Sequence, residues 1–366
     1  MIRPEPSDGL PTACETETTS DYDAILIVGF GGPEKPEDVM PFLENVTRGR
    51  NIPRERLEVV AEHYHHFGGV SPINAQVRTL IDALGPELRR HGVTLPVYWG
   101  NRNWHPMLPD TLREMTGAGV KKALAIVLAA YSSYSSCRQY REDVGRAREA
   151  VGPSAPEVAR TRVFFNHPAF ITANADRLRE ALAKVPAEDR GQVAIGFTAH
   201  SIPAAMAANS LYEDQLRETC RLIAAELNID DRRWSLVYQS RSGRPGDLWL
   251  EPDVLDYLRD LREQGGREVI LHPVGFLSDH LEVLYDLDEE ARLLCERIGL
   301  NMVRSSTVGT HRGFVRMLCD LVCERLQGAT EDEKRAIGRF GPSHDVCPQD
   351  CCLPPARPQR LAHAQN

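Results

Sequence analysis

Apolar residues in this chain come in short runs, and between the runs they recur every three or four positions. The runs fall at 24–28, 95–99, 123–128, 162–165, 193–197, 234–238, 268–272 and 301–304. Their length is that of strands. The segments that follow, such as 77–90, 168–183, 212–227, 254–264, 280–298 and 312–326, have helical periodicity. Apolar strands alternating with amphipathic helices predict parallel sheets covered on both faces. About four strands fall on each side of residues 151–156, VGPSAP, which read as a linker. The expected fold is therefore α/β, with two doubly wound halves at 21–150 and 160–330 and a crevice between them. Residues 1–20 read as a disordered tail. Residues 331–366, Pro-rich with clustered cysteines, read as an extension that something other than a core must order.

Charge changes the picture by exclusion. The chain has 43 basic and 52 acidic side chains, a net −9, and no basic stripe to neutralise phosphates. A nucleic-acid partner is not expected. No apolar run approaches the roughly 18 residues of a membrane span. The acidic, Ser/Thr-rich start is not a secretory signal. These features predict a cytoplasmic protein, in which nine cysteines are not a disulfide framework.

In doubly wound sheets, ligands sit at the carboxyl ends of strands. Four loops there are unusual: GFGGP at 29–33, TAHSIP at 198–203, QSRSG at 239–243 and PVGFLSDHLE at 273–282. The first lacks the dinucleotide spacing, because Glu34 stands where the third glycine belongs. Its glycines read as letting the backbone approach a flat ligand, or as a tight turn. His200 follows a strand directly. An imidazole there can take a proton near neutral pH or ligate a divalent metal; the plain alternative is a structural His bonded to a loop carbonyl. Glu282, Asp286 and Glu290 are spaced to stack on one helix face. Such a face suits a cation or proton path, or else is simply solvated. Asp279 to Glu282 also matches a capping box. Ser71 and Pro72 read as N-cap and first residue of a helix. Tyr64 and Tyr140 are either contacts for a large ring with polar edges or core aromatics.

The cysteine tail is the sharpest local signal. Cys347, Cys351 and Cys352 supply three thiolates within six residues, and Cys137 is a candidate fourth. Four thiolates hold Zn²⁺ or an iron–sulfur cluster. A vicinal disulfide is the alternative.

The loops taken together resemble the signature blocks of ferrochelatases. TAHSIP at 198–203, YQSRSG at 238–243 with WLEPD at 249–253, PVGFLSDHLEVLYD at 273–286, FGGVSP at 67–72 and GFGGP at 29–33 follow in the family's order, over about residues 22–328. The resemblance implies two Rossmann-like domains of the class II chelatase type and insertion of Fe²⁺ into a porphyrin. It implies His200 and Glu282 as the catalytic, metal-handling pair, with Asp286 and Glu290 on the acidic helix face. Ser71 and Tyr140 match substrate-contacting positions, and Tyr64 and Arg48 lie in the matching region. Cys137, Cys347, Cys351 and Cys352 match the ligands of a [2Fe–2S] cluster. A soluble form with a cysteine tail resembles the actinobacterial coproporphyrin III ferrochelatases.

Two positions depart from some bacterial relatives. Phe30 replaces a Tyr, and a phenyl ring cannot ligate iron. His63 replaces an Arg, so it is assigned no propionate contact. His200 is expected to act as base and early metal contact, with Glu282 beside it. Arg48, Arg50 and Arg54 near the expected cleft mouth favour a porphyrin rich in carboxylates, coproporphyrin III over protoporphyrin IX. A monomer is expected, passing its product to the next enzyme of the haem pathway. The rivals are a chelatase for another metal or ring, such as Co²⁺ into a sirohydrochlorin-type macrocycle, and a non-catalytic haem or iron–sulfur sensor.

Overall fold

A computed structural model describes residues 21–49, 52–241 and 247–354. The tail expected at 1–20, Arg50 and the end of the C-terminal extension lie outside these residues. The strands are β1 (Ala24–Gly29), β2 (Val97–Asn101), β3 (Lys122–Val127), β4 (Glu157–Arg160), β5 (Ala194–His200), β6 (Trp234–Gln239), β7 (Glu268–His272) and β8 (Asn301–Arg304). The helices are α1 (Val39–Val46), α2 (Arg54–His66), α3 (Ile73–Arg90), α4 (Leu108–Gly117), α5 (Gln139–Val151), α6 (Pro168–Leu182), α7 (Ala204–Ala207), α8 (Tyr212–Glu226), α9 (Val254–Glu263), α10 (Leu281–Val283), α11 (Arg292–Ile298) and α12 (Arg312–Leu326).

Two four-stranded parallel sheets result, ordered β2-β1-β3-β4 and β6-β5-β7-β8. The order is the same in both halves. Strand alternation divides each sheet between two cores. Ile25, Ile27, Leu124 and Ile126 face inward, as do Ile195, Phe197 and Ile270 of the second sheet, and all join one cluster with α3, α6, α8 and α12. Leu26 and Val28 face outward under α4 and α5. Val269 and Leu271 do the same under α9 and α11. The inner helices are thus shared by both sheets.

One strand lies elsewhere than its apolar pattern indicates. Val163, Phe164 and Phe165 are buried, but in an extended segment of the shared core outside either sheet. The fourth strand of the first sheet is Glu157–Arg160, which pairs only with β3. An edge strand buries little, so its sequence need not be apolar. Residues 152–156 therefore form a loop inside the first half, between α5 and its last strand, and the expected linker at 151–156 does not separate the halves.

The extension after α12 is tied down by polar clamps. Arg162, 1% exposed, donates from Nε and Nη2 to both carboxylate oxygens of Glu324 at 2.8 and 2.9 Å, and from Nη2 to the Arg335 carbonyl at 2.9 Å. Asn166 Nδ2 donates to the carbonyls of Ile337, Phe340 and Gly341. Lys334 and Arg325 hold Asp345. No helix among the described residues is long and apolar enough to cross a membrane.

Candidate active site

In a sheet of order 2-1-3-4, chain crossovers leave from opposite sides of the first and third strands, and a crevice opens at their carboxyl ends. In the second half those strands are β5, ending on His200, and β7, followed by the loop that carries Glu282. His200 Nε2 lies 3.6 Å from Glu282 Oε2. The imidazole is oriented from its other side, where Nδ1 donates to the Ser201 carbonyl at 2.5 Å. Tyr212 Oη donates to the His200 carbonyl at 3.0 Å. His200 and Glu282 are 33% and 46% exposed, so a ligand can reach both.

Glu282 is not a capping residue. The N-cap is His280, whose Nδ1 accepts from the Val283 amide at 3.3 Å. That fixes the His280 proton on Nε2, 3.5 Å from the same Glu282 oxygen. Asp279, expected as the cap, pairs with Arg304 at 3.1 Å. The capping-box reading fails because both its members have other partners. The helix is also not wholly α: Leu284–Ala291 is a π segment between α10 and α11, a form frequent at functional sites.

Electrostatics separates the acidic groups. Burial disfavours a charged His200, but the adjacent Glu282 carboxylate overcomes this and lifts His200 to about 9. Burial likewise raises Glu282, yet the two imidazoles beside it, His200 above all, bring it down to about 2. Burial pushes Asp286 up to about 7; the Ser240 hydroxyl, which donates to it, opposes this, and Glu282 and Glu290 add to it. Gln239 Nε2 joins the steps, donating to the Glu282 carbonyl at 3.0 Å and to Asp286 Oδ2 at 3.2 Å. Glu290 is exposed at the outer end, where burial of part of its carboxyl raises it and Asp253 adds to this. There it lines an open groove with His66, Tyr285 and Glu289.

The first half supplies the facing wall in part. Tyr64 packs edge-on to Phe42 at 5.8 Å, and its hydroxyl is held up by burial and by the charge of Glu282. Phe30 packs on Phe42 at 6.4 Å. His63, the departure noted above, stacks on Tyr285 of the π segment at 3.8 Å. Gln76 Oε1 accepts from the Asp279 amide at 2.9 Å, joining the halves. Ser71 is buried, and its amide donates to the Pro33 carbonyl at 2.8 Å. The next helix is capped by Pro72 with no side-chain bond, so Ser71 is not its N-cap. The GFGGP loop is packed closely by these neighbours and by β2. A Cβ on Gly32 would meet Ser71 and Ile73 below 3 Å, one on Gly29 would meet Asn101, and Gly31 has φ +83°.

The structure does not bring Tyr140 or Arg48 to the pair. Tyr140 is 5% exposed and sits in the outer core under the Arg102 guanidinium, 4.9 Å from its ring. Arg102 also lies over Phe30 at 5.7 Å. Arg48 is exposed beyond α1, and Arg54 is engaged by Glu44 and Glu58.

The cysteines do meet. Cys137, on a π turn at Tyr134–Arg138 after β3, has its sulfur 4.0 Å from that of Cys347, and the Cys351 and Cys352 sulfurs are 3.5 Å apart. Cys352 also interacts with Cys137. Arg160, at the end of β4, donates to Cys137 Sγ at 3.0 Å and Cys347 Sγ at 2.5 Å. Bonds from the Cys347 and Cys352 thiols hold the Cys137 thiol well below its usual range despite burial, and Arg160 adds to this. Two ligands on one tetrahedral metal at 2.3 Å lie about 3.8 Å apart. The donor set therefore fits a thiolate-bound metal or iron–sulfur group.

Gln239, Ser240 and His280 lie in loops that the sequence marks, but it gives them no role of their own, and it does not mark Arg160 at all. A histidine two residues before Glu282 was a usable signal. Nothing local marks Arg160, which meets its sulfurs across 23 and 187 residues.

Titrating groups pushed apart at a strand-end crevice mark the chain as a doubly wound α/β enzyme. The sequence profile of the family described as "Ferrochelatase" matches residues 22–326. A ferrochelatase of Rhodopirellula baltica is 55% identical over 339 residues, 92% of this chain and 95% of the relative. A coproporphyrin III ferrochelatase of Nocardia farcinica is 49% identical over 346 residues, covering 92% and 98%. One of Streptomyces coelicolor is 48% identical over 363 residues, covering 94% and 96%. Among solved structures, the sirohydrochlorin chelatase SirB of Bacillus subtilis subspecies spizizenii, in complex with cobalt, aligns at TM-score 0.49 and 9% identity, covering 84% of this chain and 96% of that one. This chain belongs to the ferrochelatase family, enzymes that insert metal into porphyrin.

Proposed function

We propose that this enzyme inserts ferrous iron into coproporphyrin III, with His200 and Glu282 meeting both the iron and the pyrrole protons. The observation that carries the reading is the 3.6 Å approach of His200 Nε2 to Glu282 at the open end of β5. Insertion exchanges two pyrrole protons for one cation, so one place must serve both. With His200 lifted to about 9 and Glu282 held at about 2, the resting pair already carries a proton. His200 is therefore an acid at rest, and becomes a base only after that proton leaves. A cation arriving at Glu282 weakens the carboxylate's hold on the imidazolium and favours its release. Asp286, near 7, is poised to take it and pass it toward Glu290 at the surface. Neutral His200 then accepts from the porphyrin, one proton at a time.

Phe30, Tyr64 and Ser71 contribute the first-half wall against which the ring lies, and Tyr140 and Arg102 support Phe30 from behind. Exposed Arg48 is available to a porphyrin carboxylate. Cys137, Cys347, Cys351 and Cys352 would hold a [2Fe–2S] cluster, which supplies a cross-link and one-electron chemistry when bound. No step of insertion is assigned to it.

The coproporphyrin choice is supported by the names of the Nocardia and Streptomyces relatives and by Arg48. A substrate with four carboxylates is water-soluble and suits the cytoplasm, from which the next haem-pathway enzyme would take the product. Protoporphyrin IX is the second reading, favoured by the exposed apolar Ile52 and Val59 on and beside α2. Steady-state insertion into the two porphyrins decides. At least tenfold higher kcat/KM for coproporphyrin III is expected; equal or better turnover of protoporphyrin IX overturns the choice. His200→Ala, folded, should lose insertion by 100-fold or more, and wild-type rates in it would refute the assignment.

A further inference from the structure

The thiolate site has five donors for four positions. His344 Nε2 lies 3.9 Å from Cys351 Sγ, and the donor atoms of His344, Cys347 and Cys351 all fall within 4.8 Å of one another. The His344–Cys351 separation is as close to a ligand–ligand distance as the Cys351–Cys352 separation is. His344 is not carried there by chance of a free tail. Its neighbour Asp345 is held by Lys334 at 2.7 Å and by Arg325 at 3.5 Å. On the other side the 347–351 loop is fixed by Arg138, which donates to the Gln349 and Cys351 carbonyls at 2.7 and 2.9 Å, and by Arg141, which donates to those of Cys347 and Pro348.

The two ends of the site differ. Cys137 is buried, and Arg160 bonds its sulfur and that of Cys347. Each end pairs a buried sulfur, Cys137 or Cys352, with a part-exposed one, Cys347 or Cys351, but only the Cys137–Cys347 end has its charge met by a guanidinium hydrogen bond to sulfur among the described residues. At the other end Cys351 is part-exposed and His344 exposed. Arg138 reaches the Cys351 carbonyl, not its sulfur. A fourth thiolate there adds charge that neither Arg160 nor Arg138 meets with a hydrogen bond to its sulfur, whereas an imidazole adds none.

We infer that His344 is a reserve ligand of the iron–sulfur centre, able to take the position of Cys351 at its solvent-facing end, so that the centre is held by three thiolates and one imidazole as well as by four thiolates. This rests on the reading that the thiolates hold such a centre. Imidazole in place of thiolate raises the reduction potential of an iron–sulfur centre, so the two ligations are distinguishable without assaying insertion.

The test is anaerobic reconstitution of the full chain with iron and sulfide, for wild type, His344→Ala, Cys351→Ala and the double variant. Iron and acid-labile sulfide per chain, visible absorption and histidine-nitrogen coupling to the reduced centre by pulsed EPR are read, with circular dichroism as the folding control. His344→Ala should load like wild type with a thiolate-only spectrum. Cys351→Ala should keep its iron, gain nitrogen coupling and show a raised midpoint potential. The double variant should hold at least tenfold less iron. A Cys351→Ala protein as empty as the double variant, or loaded without nitrogen coupling, overturns the inference alone. A wild type that takes up neither iron nor sulfide overturns the underlying reading and the inference with it.

Discussion

Arg162 is the place to test how firmly the C-terminal extension is bound to the fold. Its guanidinium is 1% exposed and Glu324 is 8% exposed, with two parallel bonds of 2.8 and 2.9 Å between them. At an effective dielectric constant near 20, opposite charges 2.8 Å apart attract by about 6 kcal/mol. Much of that offsets desolvation of the two ions, so the pair adds little net stability compared with hydrocarbon of the same shape. Breaking it is a different matter. Arg162→Met leaves Glu324 buried with only the Arg335 amide, at 3.3 Å, still donating to it, and removes the donor to the Arg335 carbonyl. A stranded buried charge costs about 3–5 kcal/mol, and the lost bond to the carbonyl about 1 kcal/mol more. Against a typical total of about 5–15 kcal/mol, about a quarter or more of the stability is at stake. Urea unfolding followed by circular dichroism should show the midpoint fall accordingly. The double variant Arg162→Met, Glu324→Met should recover most of the loss, because it removes the stranded charge. A single variant within about 1 kcal/mol of wild type, or a double variant no better than the single, would refute the reasoning.

Other expectations concern single groups. His272 is fully buried and neutral, with Nε2 donating to Asn174 Oδ1 at 3.1 Å and Nδ1 accepting from Ser305 Oγ at 2.8 Å; burial brings it down to about 3. Between about 6.5, where the unfolded chain takes up this proton, and about 3, the unfolded state binds more protons, so stability drops as the pH is lowered, by up to about 1.4 kcal/mol per unit. His272→Gln removes this slope, and the stability gap between wild type and variant should narrow from pH 7 to pH 5; a constant gap would count against it. Glu282→Gln should lower metal insertion by about 100-fold or more with helix content by circular dichroism unchanged, since His280 and not Glu282 caps the helix; wild-type insertion in this variant would overturn the role given to the carboxylate. Arg160→Met should weaken retention of a thiolate-bound metal against a chelator by about 10–100-fold, and unchanged retention would show that the guanidinium does not support the site.

Much of the framework was legible because its signals are local. Apolar runs gave seven of the eight strands to within a few residues, and strand-end loops of odd composition pointed to His200 and Glu282. The failures share a cause. At 162–165 the pattern registered burial correctly and pairing wrongly, since Phe164 and Phe165 are buried without being in a sheet. Ser71 and the 279–282 box matched capping sequences, yet their partners are chosen by tertiary neighbours: Pro33 for Ser71, His200 for Glu282, Arg304 for Asp279. The GFGGP glycines signalled close approach correctly, and among protein atoms it is Asn101 and Ser71 that come near. Spacing along the chain cannot report a neighbour brought in from another element.

The helical floor common to both sheets has a practical result. Its hydrocarbon comes from Ile25 and Leu124 on one side and Ile195 and Ile270 on the other, closed by α3 and α12. A gene cut near residue 160 would leave each fragment with half a core facing water, so the pieces expressed apart should aggregate. The lobes also cannot swing about a neck, because no neck exists. The α1–α2 pair stands apart from this floor, with its own small cluster around Phe42 and Leu57, and meets the π segment through the His63–Tyr285 stack.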